Sequence, residues 1–245
     1  MMFVYLLCGA IVGILANYMA DVLPRHRRFT KPVCLECGEN RPIEKFLTGK
    51  PCKHCGKKNA IRYWSVILAT TMLSIASGFF PAGKMPFIAV EILLLIFSVM
   101  VITDIEFRVI LEQVSWAGYV AAALTGWYIN GFTKTILGGI CGFLIFLGLY
   151  YLGKAFARRM SRNREVPVDE EALGFGDVNL AGVIGLLTGF PYVLPALLCA
   201  VILGGLASGV IIIVSIINKR YEAFQAIPYG PFIILGGILV LYFYH

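Results

Sequence analysis

The stretch Ile92-Leu-Leu-Leu-Ile-Phe-Ser-Val-Met-Val-Ile-Thr-Asp104 is an apolar run that ends on a carboxylate. It belongs to a longer run, 85–103, whose length suits a helix that crosses a bilayer, which needs about 20 residues. An ionisable side chain at the edge of such a helix is costly in lipid, so it predicts a functional site with a partner elsewhere in the chain. A second aspartate, Asp177, stands in Gly174-Phe-Gly-Asp-Val-Asn-Leu180, just before another apolar run.

The composition indicates that the whole chain is a membrane protein. Of its 245 residues, 59% are hydrophobic and 14% are charged, whereas soluble domains are about 45–50% apolar and about 25% charged. The predicted fold class is an all-α polytopic membrane protein with about eight transmembrane helices. The sixth is short and contains glycine, which fits a helix that lines a site. The predicted spans are 2–23, 63–80, 85–103, 114–130, 135–152, 177–190, 192–217 and 227–244.

The basic residues predict the orientation of these spans. Nineteen of the 21 Lys and Arg fall in the loops 24–62, 104–113, 153–176 and 218–226, and the other two are Lys84 and Lys134. Cytoplasmic loops carry an excess of Lys and Arg, so these four loops are expected in the cytoplasm, with both termini outside. The first run has its basic flank after it, which favours a retained span over a cleaved signal peptide. The net charge of +7 is then a topology signal, and no nucleic-acid partner is expected.

This topology brings the two aspartates to the same depth. The third span runs inward and ends at Asp104, while the sixth runs outward and begins at Asp177. Two carboxylates held close share a proton and can activate water to cut a peptide bond. The structural alternative is a pair of helix caps. It suits Asp177 at a helix N-terminus, but a negative charge at a C-terminal end, where Asp104 lies, is disfavoured. Asp104 and Asp177 are therefore the predicted catalytic residues.

Gly174 and Gly176 form the predicted substrate loop beside Asp177. Glycine allows the backbone to approach a substrate closely and to bend between loop and helix.

The other acidic residues are not expected to be catalytic. Glu106 and Glu112 are expected to be solvated, and for Glu91 a hydrogen bond within the bundle and an outward-pointing side chain both stay open. The pairs 9/13, 138/142 and 205/209 have the Gly-x-x-x-Gly spacing and predict close helix packing.

Four of the seven cysteines form a metal-site pattern, Cys34-Leu-Glu-Cys37-Gly and Cys52-Lys-His-Cys55-Gly, with fourteen residues between the halves. Two Cys-x-x-Cys-Gly turns at this spacing predict a tetrahedral zinc site with four thiolate ligands. The alternative is a redox role. Because four thiolates leave no open position, this zinc is expected to organise the cytoplasmic loop and not to act as a Lewis acid. His54 is not needed as a ligand.

Several motifs resemble those of one family, the bacterial type IV prepilin peptidases (leader peptidases). The resemblance spans nearly the whole chain, and the cysteine loop stands in its expected place. Two motifs depart from the family pattern: Ile110-Leu111-Glu112 replaces Ile-Pro-Asp/Asn, and Asn179 replaces a lysine. The matching segments are Gly13-Ile-Leu-Ala-Asn17 with Leu23-Pro24, Asp104-Ile-Glu-Phe-Arg-Val-Ile110, Gly174-Phe-Gly-Asp-Val-Asn-Leu180 and Ile227-Pro-Tyr-Gly-Pro-Phe232.

The resemblance implies a multi-pass protein of the bacterial cytoplasmic (inner) membrane whose partners are type IV prepilin or pseudopilin precursors and membrane lipid. It implies cleavage at the cytoplasmic face, after a glycine that precedes the substrate's hydrophobic helix, with Asp104 and Asp177 as the catalytic pair. Many members also methylate the new N-terminus with S-adenosylmethionine. The chain has no Gly-x-Gly-x-x-Gly nucleotide loop after a strand, so this second activity is implied by the resemblance alone.

Two other functions fit parts of the pattern. A presenilin-like Gly-x-Gly-Asp intramembrane protease shares the second aspartate motif and Pro195-Ala-Leu197, but this tripeptide lies only eighteen residues after Asp177. That alternative also leaves the four cysteines unexplained. A non-enzymatic membrane assembly protein or transporter with a zinc-bearing docking loop would not need either aspartate. The predicted organisation is a first transmembrane helix (1–23), a zinc-binding loop (24–62) and a membrane-embedded peptidase domain (63–245).

Overall fold

A computed structural model describes residues 1–34, 37–40, 42–52, 54–56, 60–161, 174–218 and 228–244. Within these ranges the regular structure is helical, apart from one antiparallel bridge between Val33 and Asn40. The helices are α1 (Met2–His26), α2 (Ile43–Leu47), α3 (Ala60–Phe79), α4 (Phe87–Phe107), α5 (Glu112–Asn130), α6 (Phe132–Ser161), α7 (Phe175–Thr188), α8 (Val193–Ile217) and α9 (Gly230–Tyr244).

Each of the eight predicted apolar runs corresponds to one helix, and α2 is a further, five-residue helix within the cysteine loop. Helix α6 continues nine residues beyond the predicted end at 152, because its basic last turns extend the helix past its apolar part. The start predicted at Ile227 for the last span lies outside the described residues. Helices α1, α3, α4, α6 and α8 are long and apolar enough to cross a membrane. The chain is thus a multi-pass membrane protein, while the number of eight crossings stays a prediction.

The short helix α7 lies in the middle of the bundle. Eleven of its fourteen residues are buried, and it packs against α5, α6, α8 and α9. Glycines allow its backbone to approach α6 closely. Gly138 of α6 and Gly185 of α7 face each other so that a β-carbon on either would meet the other's carbonyl oxygen, and Gly142 meets the carbonyl of Ala181 in the same way. The predicted packing role of the 138/142 pair is confirmed, and α7, which carries Asp177, is held firmly.

Helix α1 packs on α3 through the 9/13 glycine pair. A β-carbon on Gly9 would lie 2.6 Å from the Thr71 Cα, and one on Gly13 would lie 2.7 Å from the Ile67 Cα. The Thr70 hydroxyl lies 2.9 Å from the Gly9 carbonyl oxygen and donates a hydrogen bond to it. The prediction for the third pair is wrong as far as the described residues show, because none of their atoms lies within 4 Å of a β-carbon built on Gly205 or Gly209. That face of α8 is apolar but has no helix against it in the described part of the chain.

The structure decides the open question about Glu91, which lies within α4. Its Oε1 is 2.6 Å from the hydroxyl of Ser74 on α3. The same hydroxyl is 2.8 Å from the Tyr5 carbonyl oxygen on α1. Glu91 is therefore hydrogen-bonded within the bundle, at a point where three helices meet, and its carboxyl group does not need to reach the membrane surface.

Candidate active site and metal centre

Asp104 lies in the last turn of α4, and its side chain is buried, with the residue 6% exposed. The helix continues for three residues beyond it and ends where Arg108 adopts the left-handed conformation, with φ 54°. The Arg108 N–H donates to the Asp104 carbonyl oxygen at 2.9 Å. A carboxylate in the last turn of a helix faces the negative end of that helix's dipole, so α4 by itself does not favour a charge on Asp104.

The first residue of another helix supplies the missing stabilisation. The backbone N–H of Gly230, at the N-terminus of α9, donates a hydrogen bond to Asp104 Oδ2 at 2.9 Å. The first amides of a helix have no partners within that helix, and its N-terminus favours negative charge. A β-carbon on Gly230 would lie 2.7 Å from Asp104 Oδ2 and 3.5 Å from the Leu180 Cδ2 of α7. Helices α4, α7 and α9 thus meet at a glycine that leaves room for the carboxylate.

Asp177 lies in the first turn of α7 and is also buried, at 7% exposure. Its Oδ2 accepts a hydrogen bond from the Gly174 N–H at 3.2 Å, and its own N–H donates to the Gly174 carbonyl at 3.1 Å. Asp177 thus caps the N-terminus of α7, which is the role that the structural alternative predicts for it. Its Oδ1, however, is buried and has no hydrogen-bond partner among the described residues. A buried polar atom without a partner is expected to meet a water molecule or a ligand.

The structure brings the two predicted carboxylates together at one end of the bundle. A β-carbon on Gly230, the residue after Tyr229, would contact both Asp104 and Leu180, and Leu180 is three residues after Asp177 on α7. The Tyr229 hydroxyl donates to the Ala200 carbonyl at 3.3 Å, which holds this segment against α8. Two carboxyl groups that repel each other in a buried site hold one proton between them more readily than two negative charges. Such a pair can act as acid and base on a bound water.

The two glycines of the predicted substrate loop have different surroundings. Gly174 has φ −75° and ψ 148°, which any residue adopts, and a β-carbon there would meet nothing closer than 3.6 Å. A β-carbon on Gly176 would lie 2.8 Å from the Ile110 Cβ. Ile110 keeps the family's residue and directly precedes Leu111 and Glu112, which depart from the pattern, so the first aspartate motif packs directly on the second. The other departure, Asn179, lies 3.3 Å from the Tyr119 hydroxyl, which donates to its Oδ1.

An ion-pair cluster that includes Glu106, two residues after Asp104, was not predicted. Arg62, in the first turn of α3, contacts Asp21 Oδ1 of α1 at 2.7 Å and Glu106 Oε1 of α4 at 3.1 Å. Glu106 is exposed as a residue, as expected, but its side chain is 27% exposed and is paired with Arg62, which was not expected. Glu112 is exposed, as predicted. Little in the sequence points to the pairing of Arg62 with Asp21 and Glu106, because Arg62 is one of eleven Lys and Arg in the segment 24–62.

The four predicted cysteines form one cluster. Their sulfur atoms all lie within 4.8 Å of one another, with Cys34 and Cys55 at 3.6 Å and Cys37 and Cys52 at 3.7 Å. Four ligands about 2.3 Å from a zinc ion would be about 3.8 Å apart in a tetrahedron. The cluster can therefore hold a metal ion with little movement, and no histidine belongs to it within the described residues.

The protonation of these thiols also suits a metal site. Backbone amides of Cys55 and His54 lower the pKa of the Cys52 thiol to about 6. The Glu39 amide acts in the same direction on Cys37, but partial desolvation and three neighbouring sulfurs outweigh it and raise the pKa of Cys37 to about 12. Thiols this close share protons, and a divalent cation would replace these protons when it binds the thiolates.

The cysteine loop is attached to the same end of the bundle as the aspartates. Phe46 of α2 is buried, and its ring packs between those of Tyr18 and Tyr63, at 6.2 and 5.6 Å between centroids. The Tyr63 hydroxyl donates to the Leu47 carbonyl at 3.0 Å. Tyr63 follows Arg62 directly, so the loop and the ion-pair cluster share one anchoring point on α3.

Comparisons with known proteins match the part of the chain that holds this site. A profile described as the type IV leader peptidase family matches residues 91–213. The chain is 26% identical to the prepilin leader peptidase/N-methyltransferase of Bacillus subtilis (strain 168) over 223 residues, which cover 86% of this chain and 80% of the relative.

Two further proteins of the same name are similar over most of the chain. The one from Aeromonas hydrophila is 24% identical over 233 residues, covering 90% of this chain and 74% of its own. The one from Burkholderia pseudomallei (strain 1026b) is 25% identical over 239 residues, which cover 91% of this chain and 71% of the relative. No solved structure matches the chain.

Proposed function

Because the chain belongs to the type IV leader peptidase family, we propose that it is a membrane aspartic endopeptidase that removes the leader of type IV prepilin-like precursors. In this proposal Asp104 and Asp177 form the catalytic pair. One of them is ionised and takes a proton from water, and the other is protonated and polarises the scissile carbonyl. The water oxygen attacks the carbonyl carbon, and the C–N bond breaks as the departing amine receives a proton.

The observation that carries this proposal is the pairing of two buried carboxylates from different helices. Asp104 keeps one oxygen on the Gly230 amide, and Asp177 keeps one on the Gly174 amide. Each carboxylate is thereby oriented, while Asp177 Oδ1 is free of protein partners among the described residues. That oxygen is where we place the reacting water. A purely capping role accounts for the two amide contacts but not for the second buried oxygen.

We place this reaction at the cytoplasmic face of the bacterial inner membrane, with both termini outside. The support is the distribution of Lys and Arg, nineteen of 21 in the loops on the side of the aspartates. The substrates in this proposal are prepilin or pseudopilin precursors, whose hydrophobic segment stays in the bilayer while the leader is presented from the cytoplasm.

Zinc is the ion that we infer for the four cysteines. An all-thiolate set favours a soft or borderline metal, and the sulfur spacing suits a tetrahedral ion. A closed four-sulfur site offers no position for a substrate. The ion would fold the loop that packs through Phe46 on α3, and the reaction does not pass through it.

The relatives are also named N-methyltransferases, so we infer methylation of the new N-terminus as a second activity, with S-adenosylmethionine as the methyl donor. One cavity between α3, α4 and α9 is lined by apolar side chains and a few hydroxyl groups. These residues do not fit a nucleoside that carries a carboxylate, an ammonium group and a ribose.

Purified Asp104→Asn and Asp177→Asn proteins, incubated with a prepilin in detergent, test the central proposal. Each substitution keeps the shape of the side chain and removes its acid–base function, so cleavage should fall by about 10³-fold or more. The control is Glu112→Gln, which changes an exposed acidic residue at the same end of the bundle, and this variant should cleave normally. Near-normal cleavage by either aspartate variant would exclude the catalytic pair.

A further inference from the structure

A long apolar groove runs along α4 between α3 and α9. It encloses about 380 Å³, and α4 packs against both neighbouring helices. Leu73 of α3 and Leu235 of α9 line it and are about half exposed, at 51% and 47%, so the groove opens toward the bilayer. Hydroxyl groups of Thr70, Ser77 and Ser98 interrupt an otherwise apolar lining.

On α4 the groove leads directly to Asp104. The residues that line it recur at intervals of three or four, from Val90 through Phe97 to Val101 and Ile102. Residues at these intervals share one face of a helix. Asp104 is three residues after Val101 and seven after Phe97, so it continues the same face at the end of the helix.

On α9 the groove leads to the same point. Its lining residues there include Tyr242, Ile238, Ile234 and Pro231, again at helical spacing. Gly230 precedes Pro231 and lies four residues before Ile234, and its amide donates to Asp104 Oδ2 at 2.9 Å. Two walls of the groove therefore converge on the hydrogen bond that joins α4 and α9.

The groove is long and shallow, so a guest would lie parallel to α4 and be only partly enclosed. From Val90 to Ile102 the helix rises about 18 Å, at about 1.5 Å per residue. The other end lies beside Ala82 and Met85, in the turn between α3 and α4. Ala69 and Ser98, which face the groove, are small. Small residues at lipid-exposed positions let a second transmembrane helix approach closely.

We propose that this groove binds the hydrophobic segment of the precursor, the helix that follows the scissile bond. The assignment rests on the proposed function. With that segment lying along α4, its N-terminal end reaches Asp104, so the peptide bond just before the segment is presented to the two carboxylates. Binding in the groove thus sets which bond is cut: the bond at a fixed distance from the start of the hydrophobic helix.

Filling the groove separates substrate binding from chemistry. Ala69→Trp should raise the KM for a full-length prepilin by about 10-fold or more and leave kcat close to normal, because the aspartates are untouched. A soluble peptide that contains the leader and the cleavage junction, but not the hydrophobic segment, should be cleaved equally well by the variant and the wild type. Ala117→Trp, at an exposed position of α5 outside the groove, is the matched control and should behave as wild type with both substrates.

A photoreactive residue in place of Ser98 tests occupancy directly. In an Asp104→Asn background, which binds without cutting, it should cross-link to the hydrophobic segment of the prepilin. The same residue in place of Ile92, which is on α4 but outside the groove, should not. Cross-links only to lipid at position 98, or equal loss of cleavage of both substrates in Ala69→Trp, would overturn the assignment. If the wild-type protein cleaves neither substrate, the proposed function itself fails and the groove assignment falls with it.

Discussion

The backbone amide of Gly230 donates a hydrogen bond to the carboxylate of Asp104 at 2.9 Å, across 126 positions of sequence. This contact explains why a negative charge is tolerated in the last turn of α4. The dipole of α4 disfavours it, but the N-terminus of α9 points at the same carboxylate and favours it. The last helix of the bundle therefore orients one of the two proposed catalytic residues, and its first residue has to be small.

Gly230→Ala should impair cleavage without unfolding the bundle. The added β-carbon would lie 2.7 Å from Asp104 Oδ2, so the carboxylate or α9 must move. A displacement of about 1 Å at a reacting group costs up to about 100-fold in rate, and we expect a fall in kcat of about 10- to 100-fold. Gly205→Ala, where nothing lies within 4 Å, is the control and should keep full activity. Equal kcat for the two variants would show that the contact does not position Asp104.

The two glycines of the Gly-x-Gly-Asp motif should respond differently to alanine. Gly174→Ala should be mild, because the nearest atom to its β-carbon is 3.6 Å away. Gly176→Ala places its β-carbon 2.8 Å from the Ile110 Cβ, and such overpacking costs about 1–3 kcal/mol. The Ile110→Ala/Gly176→Ala double variant should recover stability and activity relative to Gly176→Ala. Thermal unfolding and prepilin cleavage measure both effects, and the absence of recovery would count against this contact.

Arg62 should be needed for stability at the end of the bundle that holds the aspartates. It joins Asp21 and Glu106, whose side chains are 8% and 27% exposed. Arg62→Met removes the cation that joins these two carboxylates, and loss of one partner of a largely buried ion pair should lower the free energy of unfolding by about 1–3 kcal/mol. Arg62→Lys should recover part of this loss, since it keeps the charge but not the forked geometry.

Thermal unfolding of these Arg62 variants in detergent provides the measurement. Arg28→Met, at an exposed position of the loop, is the matched control and should unfold like the wild type. If the Arg62→Met protein proves as stable as the Arg28→Met protein, the cluster contributes nothing measurable to stability.

The metal content of cysteine variants should separate the cluster from the other cysteines. Purified wild-type protein should contain about one zinc per chain, and Cys34→Ser or Cys52→Ser should lose most of it, because each removes one of four thiolate ligands. Cys8, Cys141 and Cys199 lie in helices away from the cluster, and their serine variants should keep the ion. Elemental analysis decides the matter, and a folded, active and metal-free wild type would contradict a structural zinc.

The orientation in the membrane can be tested by thiol labelling. In a background that keeps only the four clustered cysteines, a new cysteine in place of Glu112 should react with an impermeant reagent only from the cytoplasmic face. One in place of Lys84 should react only from outside, because positive loops are retained inside. Intact and permeabilised cells provide the comparison, with a background lacking both new cysteines as the blank. The reverse pattern would invert the proposed topology.

Local patterns in the sequence were enough for the helices and for the four-cysteine cluster. An apolar run of about 20 residues demands a helix in lipid because the backbone must bond to itself, and each predicted run corresponds to a helix. The cysteine spacing predicts a cluster because each Cys-x-x-Cys turn brings its own two thiols together. The shared end of Asp104 and Asp177 also followed from the alternating direction of successive spans.

Only the tertiary structure decided which residues surround the carboxylates. The partner of Asp104 is an amide on α9, and backbone amides carry no sequence signal. The pairing of Arg62 with Glu106, the contact of Gly176 with Ile110 and the unpacked face at Gly205 all depend on how helices lie against each other. Hydrophobic periodicity shows that a helix forms and where it begins and ends, but not which neighbour covers each face. In a chain where lipid is as apolar as the helix interiors, that choice rests on close packing and on a few polar contacts.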